Sequence, residues 1–322
     1  MNRTVLPSFR ADLLLIVLAC ICVLFIHAAS SQPSSPQPVE GDTSRVHASD
    51  VSQLQHSQLP RQDVPRWYDM FANIPNDWSR FGRITFSAER IPAVLGIGAA
   101  TAFLIATDDA TWKASDRWYR SSSAVYRASN IGVWIGDGFP QFGLAGAFAL
   151  YGFAAGDNRA LRTASQTTET ILACGVVIQV LKHITGRESP VVSTAPGGVW
   201  RFFPNQIQYH KHVPHYDAYP SGHVATALAT VTVAAENYPE ITWIRPVGYT
   251  LVGILAVSMV NAGIHWYSDY PLGLALGYTF GMLAAHPEGM EVGSTGKGDA
   301  VKFSLAPRLD PMIGGVQLTI SF

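Results

Sequence analysis

The stretch PVGYTLVGILAVSMVNAGIHWYSDYPLGLALGYTFGMLAAH, residues 246–286, decides the fold. It contains two apolar runs of helix length, 246–264 and 269–286, joined by a short polar turn. Neither run alternates apolar and polar residues as a strand would, and Gly273 and Gly277 would allow a neighbouring helix to approach closely. Four further apolar runs precede them, at 91–107, 139–155, 168–184 and 222–236. The sequence therefore predicts an all-α protein built on a six-helix bundle.

Composition excludes several classes of protein. Of the 322 residues, 48% are hydrophobic and only 14% are charged, against roughly 25% charged residues in an average soluble domain. The 22 basic and 23 acidic residues nearly cancel, so no positive field attracts a polyanion and we expect no nucleic-acid partner. Three cysteines, Cys20, Cys22 and Cys174, do not make a disulfide framework or a cysteine-based zinc site.

The N-terminal region predicts export. Residues 1–30 have the layout of a signal peptide, with Arg3 and Arg10 before an apolar run at 13–26 and small residues after it. An uncleaved anchor is the alternative, because a run of this length is marginal for crossing a membrane. Residues 31–62 are rich in Ser, Gln, Pro, Asp and Val, and we expect them to form a disordered linker.

Two segments flank the predicted helical domain of residues 91–288. Residues 63–90 interleave aromatic and basic side chains, which predicts an amphipathic lead-in that either lies at a membrane interface or packs on the bundle. Residues 289–322 combine turn-forming residues with an alternating run at 316–322, which predicts a short C-terminal β-hairpin. We expect the hairpin to pack on the bundle, because one hairpin cannot close a membrane barrel.

Polar residues collect at particular ends of the predicted helices. Lys182 ends the third helix, Ser221 and His223 open the fourth, His265 ends the fifth and Asp269 opens the sixth. In an antiparallel bundle of consecutive helices these ends lie on one face. A lysine, free amides at a helix N-terminus and two histidines are what an oxyanion site requires.

Three short motifs carry this chemistry. In Pro220-Ser221-Gly222-His223, glycine lets the backbone approach a ligand and the serine hydroxyl and amides can hold a phosphate. His265 and Asp269 are four residues apart, so on a helix the carboxylate would lie beside the imidazole and fix its tautomer. The third motif is the stretch LKHITGRESP at 181–190. Taken singly, a helix cap, a structural His–Asp pair and a surface lysine would explain the three motifs equally well.

Together, the three motifs resemble those of the type 2 phosphatidic acid phosphatase family, which shares its fold with the vanadium haloperoxidases. The family pattern is Lys, six residues and Arg-Pro; then Pro-Ser-Gly-His; then Ser-Arg, five residues, His, three residues and Asp. Lys182 and Pro190 match the first part, residues 220–223 match the second completely, and Ser258, His265 and Asp269 match the third.

The resemblance implies roles for the site residues. His265 resembles the nucleophile that forms a phosphohistidine, Asp269 its orienting partner and His223 the acid that protonates the leaving group. Lys182, Ser221 and Gly222 resemble the phosphate-binding residues. The resemblance implies neither a metal nor another cofactor, since positioning and charge neutralisation supply most of the catalysis of phosphoryl transfer.

Both family arginines are replaced, which makes this a divergent member. Ser189 and Met259 stand at their positions, and losing such charge-stabilising donors typically costs about 3 kcal/mol each. Arg187 is a candidate replacement as a phosphate ligand. Further candidates lie in the loop between the third and fourth helices: Arg201, His210, Lys211, His212 and His215.

The sequence thus predicts a hydrolase of lipid or isoprenoid phosphate monoesters or pyrophosphates. A degenerate member that binds an anionic head group or a partner protein is the alternative, and vanadate-dependent halide oxidation ranks last. We expect membrane association in a bacterial-type cell envelope with a periplasmic site. Six true spans after a cleaved signal would instead place the site in the cytoplasm, and a bundle lying partly in one leaflet resolves this conflict. The oligomeric state stays open.

Overall fold

A computed structural model describes residues 64–287 and the backbone of residues 302–309 and 314–321. The predicted signal peptide or anchor at 1–30 and the predicted linker at 31–62 lie outside the described residues. The chain divides into two units, Met1–Pro287 and Glu288–Phe322, and each is described by itself.

Within residues 64–287 the chain forms eleven α-helices. Their bounds are α1 Asp69–Ala72, α2 Ile74–Thr85, α3 Ile91–Ile105, α4 Asp108–Tyr119, α5 Ser123–Gly136, α6 Gly138–Ala155, α7 Asn158–Thr185, α8 Gln206–Lys211, α9 Gly222–Asn237, α10 Ile244–Asn261 and α11 Tyr270–Ala285. In the second unit, β1 Lys302–Leu309 and β2 Gly314–Ser321 pair antiparallel.

All six predicted helices are present, as α3, α6, α7, α9, α10 and α11, so the helical fold class is confirmed. Helix α7 begins ten residues before the predicted start at 168, because Asp157 caps it by accepting hydrogen bonds from the amides of Arg159 and Ala160 at 2.9 and 3.1 Å. Apolar content alone also missed α4 and α5, since polar residues make up much of both helices.

The close packing of α9 against α11 sets the position of the site. A β-carbon at Gly273 would lie 2.7 Å from the carbonyl oxygen of Ser221, and one at Gly277 would lie 2.2 Å from that of Ala225. Only glycine fits such contacts, because these distances are shorter than any normal van der Waals approach. The start of α9 is therefore held against the turn that precedes α11.

The lead-in segment forms a helix that packs on the bundle. Trp78 of α2 donates to the carbonyl of Ala173 at 3.0 Å, and the ring of Phe81 stacks on Phe280 with centroids 4.9 Å apart. Arg80 of α2 donates to the carbonyl of Leu283 on α11 at 3.1 Å. These contacts tie α2 to both α7 and α11.

Much of the outer surface of the bundle is apolar. Ala88–Ile105 and Ile244–Asn261 are long and apolar enough to cross a membrane, with 6% and 44% of their residues buried. Large side chains such as Phe103, Leu150 and Phe153 are more than 70% exposed. Exposed apolar area of this extent suggests association with a membrane.

Candidate functional site

His265 and Asp269 form a buried pair in the connection between α10 and α11. Helix α10 ends at Asn261 and Tyr267–Asp269 form a 3₁₀ turn, so the pair is made by a turn rather than by the helix that the spacing suggested. The Nδ1 atom of His265 lies 2.8 Å from the carbonyl oxygen of Ala218 and 3.3 Å from Oδ2 of Asp269. Because a carbonyl oxygen can only accept, Nδ1 carries the proton and Nε2 carries the lone pair.

The lone pair of His265 points at the second histidine. Nε2 lies 3.1 Å from Nδ1 of His223, which therefore donates to it. Burial lowers the pKa of His265 below its ordinary value, and the charges of Lys182 and His223 act in the same direction, while the hydrogen bond and charge of Asp269 oppose them. A lowered pKa keeps the lone pair available for nucleophilic attack near neutral pH.

His223 is held at the N-terminus of α9, where Ser221 is the capping residue. Its other ring nitrogen, Nε2, lies 3.7 Å from Oδ1 of Asp137, at the junction of α5 and α6. At this distance Asp137 lies beyond hydrogen-bond range of Nε2. About 29% of the His223 side chain is exposed, which leaves it accessible from outside the bundle.

Lys182, Ser221 and Gly222 lie around the start of α9. The ammonium of Lys182, at the end of α7, lies 3.5 Å from Asp217 Oδ2. The amide of Ser221 donates to the carbonyl oxygen of Asp269 at 3.0 Å, which ties α9 to the His265 turn. A β-carbon at Gly222 would lie 3.4 Å from Cγ2 of Ile178 on α7, an ordinary van der Waals distance, so this side of the helix start faces α7.

The suggested phosphate role of Arg187 does not fit the structure, because this side chain is fully buried and bound to carboxylates. Its Nη1 donates to Oδ1 of Asp269 at 2.5 Å and to the hydroxyl of Ser268 at 2.6 Å. Its Nη2 donates to Oδ2 of Asp108 at 2.7 Å and to the carbonyl of Gly197 at 2.8 Å. Arg187 thus lies behind the His–Asp pair rather than in front of it.

Residues 165–289 match a family model described as the PAP2 superfamily. This part of the chain is a PAP2 domain. It contains Lys182, Ser221, Gly222, His223, His265 and Asp269, and it leaves out Asp108 and Asp137.

Two individual proteins are similar to parts of the chain. Over 68 residues the chain is 37% identical to a lipid A 1-phosphatase of Porphyromonas gingivalis, a match that covers 21% of this chain and 15% of that relative. The crystal structure of a transmembrane PAP2-type phosphatidylglycerolphosphate phosphatase from Bacillus subtilis aligns with 60% of this chain and 94% of its own, at 15% identity and a TM-score of 0.42.

In the PAP2 domain, the loop between α7 and α9 also contains a cation, Arg201, that is bound within the protein. Arg201 donates to Glu188 at 2.7 Å, and His215 lies 3.7 Å from the same carboxylate. Although burial raises the pKa of Glu188, hydrogen bonds from the amides of Thr194 and Val199 and from Arg201 hold it at about 2. Arg201 is therefore paired with a permanent negative charge.

The two positions where the family has arginine are buried in this PAP2 domain. Ser189 is 3% exposed, and its amide donates to the carbonyl of Pro214 at 2.8 Å. Met259 is fully buried in α10, where its methyl group packs so close to Gly136 that a β-carbon there would lie 2.9 Å from it. Neither residue supplies a positive charge to the site.

Sequence reasoning missed two acidic residues beside the histidines. Asp108 lies behind the pair, through Arg187, and Asp137 lies beside His223. Each stands at the start of a helix, where an acidic residue is common for local reasons. No spacing relates either of them to the three motifs, so only the fold brings them to the site.

Proposed function

We propose that this protein hydrolyses phosphate monoesters or pyrophosphates of lipids or isoprenoids through a phosphohistidine on His265. The observation that carries this proposal is the hydrogen bond from His265 Nδ1 to the carbonyl of Ala218, which leaves the Nε2 lone pair as a nucleophile. A buried imidazole with a fixed tautomer and a second histidine 3.1 Å away is the arrangement that nucleophilic catalysis requires.

In the first step Nε2 of His265 attacks phosphorus. The N–P bond forms as the bond from phosphorus to the leaving oxygen breaks, and His223 gives its proton to that oxygen. The phosphoryl group must enter between the two rings, so His223 turns away from His265 when substrate binds. Its partial exposure gives the side chain space for this movement.

In the second step water replaces the histidine. Neutral His223 accepts a proton from the water, the new O–P bond forms and the N–P bond breaks. Inorganic phosphate leaves, and His265 regains its lone pair while His223 is protonated again. Atoms and protons balance over the cycle without a further reactant.

Phosphate binding falls to Lys182 and the start of α9. The ammonium of Lys182 exchanges its 3.5 Å contact with Asp217 for a phosphoryl oxygen. The hydroxyl of Ser221 and the amide of Gly222 lie at a helix N-terminus, where the dipole and free N–H groups favour an anion. Arg187 supports Asp269 and takes no part in this contact.

A lipid substrate is supported by two observations. The name of the relative from Porphyromonas gingivalis says that it acts on the 1-phosphate of lipid A. The bundle also exposes a broad apolar surface along α3, α6 and α10, which would keep the site close to lipid.

We propose that the protein is exported to the cell envelope and that its site faces the periplasm.

Phosphate release tests the proposal. Purified full-length protein in detergent micelles is given phosphatidic acid, undecaprenyl pyrophosphate and p-nitrophenyl phosphate, beside the variants His265→Ala and His212→Ala. We expect the parent to release phosphate and His265→Ala to release none. His212→Ala should release phosphate as fast as the parent, because His212 is an exposed loop residue. An acid-labile, base-stable phosphoenzyme that only His265→Ala lacks would establish the intermediate. Equal activity of His265→Ala and the parent would refute it.

A second candidate function is binding of an anionic head group without turnover. It is favoured by Ser189 and Met259, whose burial leaves two of the family's phosphate contacts unfilled, and by the pairing of Arg187 and Arg201 with carboxylates. Retention of phosphatidic acid by the parent, with no release of phosphate and no phosphoenzyme, would select this function over hydrolysis.

A further inference from the structure

Asp108 is a fully buried carboxylate that no motif of the sequence connects to the site. It starts α4 and accepts hydrogen bonds from Nη2 of Arg187 at 2.7 Å and from the amide of Ser268 at 3.3 Å. The hydroxyl of Ser268 also donates to Asp108. Burial raises the pKa of Asp108, while the hydrogen bonds from Ser268 and Arg187 oppose that rise.

Arg187 joins Asp108 to Asp269. One terminal nitrogen of the planar guanidinium binds Asp269 and the other binds Asp108. Trp200 and Trp266 lie against the guanidinium, with its carbon 4.7 and 5.3 Å from their ring centroids. Nothing in this arrangement can rotate without breaking several charge-assisted bonds at once.

Stability alone does not account for this cluster. A fully buried ion pair is often no more stabilising than apolar residues of the same volume, because removing charges from water is expensive. Here one cation meets two carboxylates, so the three side chains together carry a net negative charge beside His265. The cluster does fix the position of Asp269, since Arg187 donates to Oδ1 while the amide of Trp266 donates to Oδ2 at 2.7 Å.

We propose that Asp108 and Arg187 are positioning residues of the reaction. Arg187 holds the Asp269 carboxylate against His265 Nδ1, and Asp108 holds Arg187 and offsets its positive charge. This inference rests on the proposed function, because it concerns the same nucleophile. Neither residue touches the substrate, and both act through Asp269.

The groups that face His265 come from several elements. Asp269 lies on its own turn, Lys182 comes from α7, His223 from α9 and Tyr270 from the start of α11. Asp217 and Asp137 lie behind Lys182 and His223 respectively. Of the acidic groups, Asp108 is separated from His265 by the Arg187–Asp269 pair, so its removal changes the charge behind the nucleophile without changing the groups that face the substrate.

The test replaces Asp108 by its neutral isostere. In Asp108→Asn we expect kcat for p-nitrophenyl phosphate to fall on the order of 10- to 100-fold, as for outer partners of catalytic ligands, with KM little changed. Removing the charge that offsets Arg187 makes protonated His265 less stable, so the acid limb of the kcat/KM profile shifts to lower pH. The matched control is Asp109→Asn, whose partly exposed side chain pairs with Lys113 at 2.7 Å, and we expect it to match the parent.

A double-variant cycle separates positioning from a general structural effect. If Asp108 acts through Asp269, Asp108→Asn costs little more in an Asp269→Asn background, whereas independent effects multiply. Multiplying effects on kcat would overturn the proposal. So would an unshifted acid limb in Asp108→Asn.

An experiment that does not need turnover completes the test. The full-length protein is labelled with ¹⁵N-histidine in detergent micelles, and the resonance of His265 is assigned by its loss in His265→Gln. We expect this resonance to titrate at lower pH in Asp108→Asn than in the parent and in Asp109→Asn. If Asp108→Asn does not fold, Arg187→Lys takes its place, because lysine keeps the positive charge but loses the two-nitrogen contact with both carboxylates. A less ordered His265 Nδ1 proton in Arg187→Lys than in the parent would support the proposal. If the His265 resonance titrates at the same pH in Asp108→Asn as in the parent, the positioning proposal is overturned, whether or not the protein releases phosphate. If the titration shifts but the protein releases no phosphate, only the proposed function is refuted.

Discussion

Two buried clusters of carboxyl groups lie in this bundle, and they differ in how their charge is met. Asp108 and Asp269 flank Arg187, which donates to both at 2.7 and 2.5 Å. Asp77 and Glu169, between α2 and α7, are 2% and 1% exposed and have no such cation between them. The carboxylates of the first cluster are stabilised by ion pairs with Arg187. The second cluster has no such ion pair and must reduce its negative charge in another way.

The second cluster does so by keeping a proton. Asn73 donates to Oε2 of Glu169 at 2.9 Å, while Oε1 of Glu169 and Oδ2 of Asp77 have no donor facing them. Arg80 lies 3.7 Å from Asp77 but gives its hydrogen bonds to carbonyl oxygens instead. Burial, together with the neighbouring Asp77, raises the pKa of Glu169 to about 9. The carboxylate that contacts His265 is therefore paired with an arginine, whereas the carboxyl group that fills a helix contact remains protonated.

Breaking the paired cluster should have the largest effect. Asp269→Asn keeps the shape but cannot stabilise the protonated Nδ1 of His265 as a carboxylate does, so we expect kcat for phosphate release to fall by about 10⁴-fold. The measurement is kcat for p-nitrophenyl phosphate, with the melting temperature as a control for folding. A loss of less than tenfold in a folded variant would contradict the assignment of Asp269.

The second prediction concerns the close packing of α9 against α11, which positions the paired cluster. In Gly277→Ala the new methyl group meets the carbonyl oxygen of Ala225, so α9 and α11 must separate and the free energy of unfolding should fall by about 1–3 kcal/mol. Gly146→Ala, where nothing lies within 4 Å of the new carbon, should instead stabilise α6 by about 0.5–1 kcal/mol. Chemical denaturation measures both, and equal effects of the two changes would argue against tight α9–α11 packing.

The protonated cluster predicts a pH dependence of stability. Because the pKa of Glu169 is about 9 in the folded chain and about 4.5 when unfolded, the native state holds a proton that the unfolded state has lost between these values. Stability contributed by this group is therefore full below pH 4.5 and falls as pH rises to about 9. Glu169→Gln, which copies the neutral form, should melt increasingly above the parent as pH rises and leave kcat unchanged. If the melting temperatures of the two proteins changed in parallel between pH 5 and 9, protonation of Glu169 in the folded chain would be refuted.

The smallest effect is expected where an acidic group lies near solvent. Asp137 and His223 are 41% and 29% exposed and 3.7 Å apart, so their attraction is weak and screened by salt. In Asp137→Asn we expect kcat/KM to fall about threefold at low ionic strength and to equal that of the parent at high salt. A larger loss that persists in salt would give Asp137 a direct role beside His223.

The sequence predicted the elements better than the partners. Ser221, His223, His265 and Asp269 meet as expected, because apolar periodicity fixes the helices and antiparallel packing aligns their ends. The pairing of Asp108 with Arg187 could not be predicted in this way, because the two residues are 79 positions apart. Whether Arg187 binds a phosphate or two carboxylates depends on tertiary contacts that the sequence does not reveal. The third motif placed Arg187 correctly near the site but on the wrong side of Asp269.

The backbone bond from the Ser221 amide to the Asp269 carbonyl also bears on when the site comes into existence. His265 and Ala218 are 47 residues apart, so His265 has its fixed tautomer only after the start of α9 has docked against the turn that precedes α11. Contacts between such remote segments form late during folding. Under the proposed function, phosphate release should therefore appear only with the final cooperative step of folding.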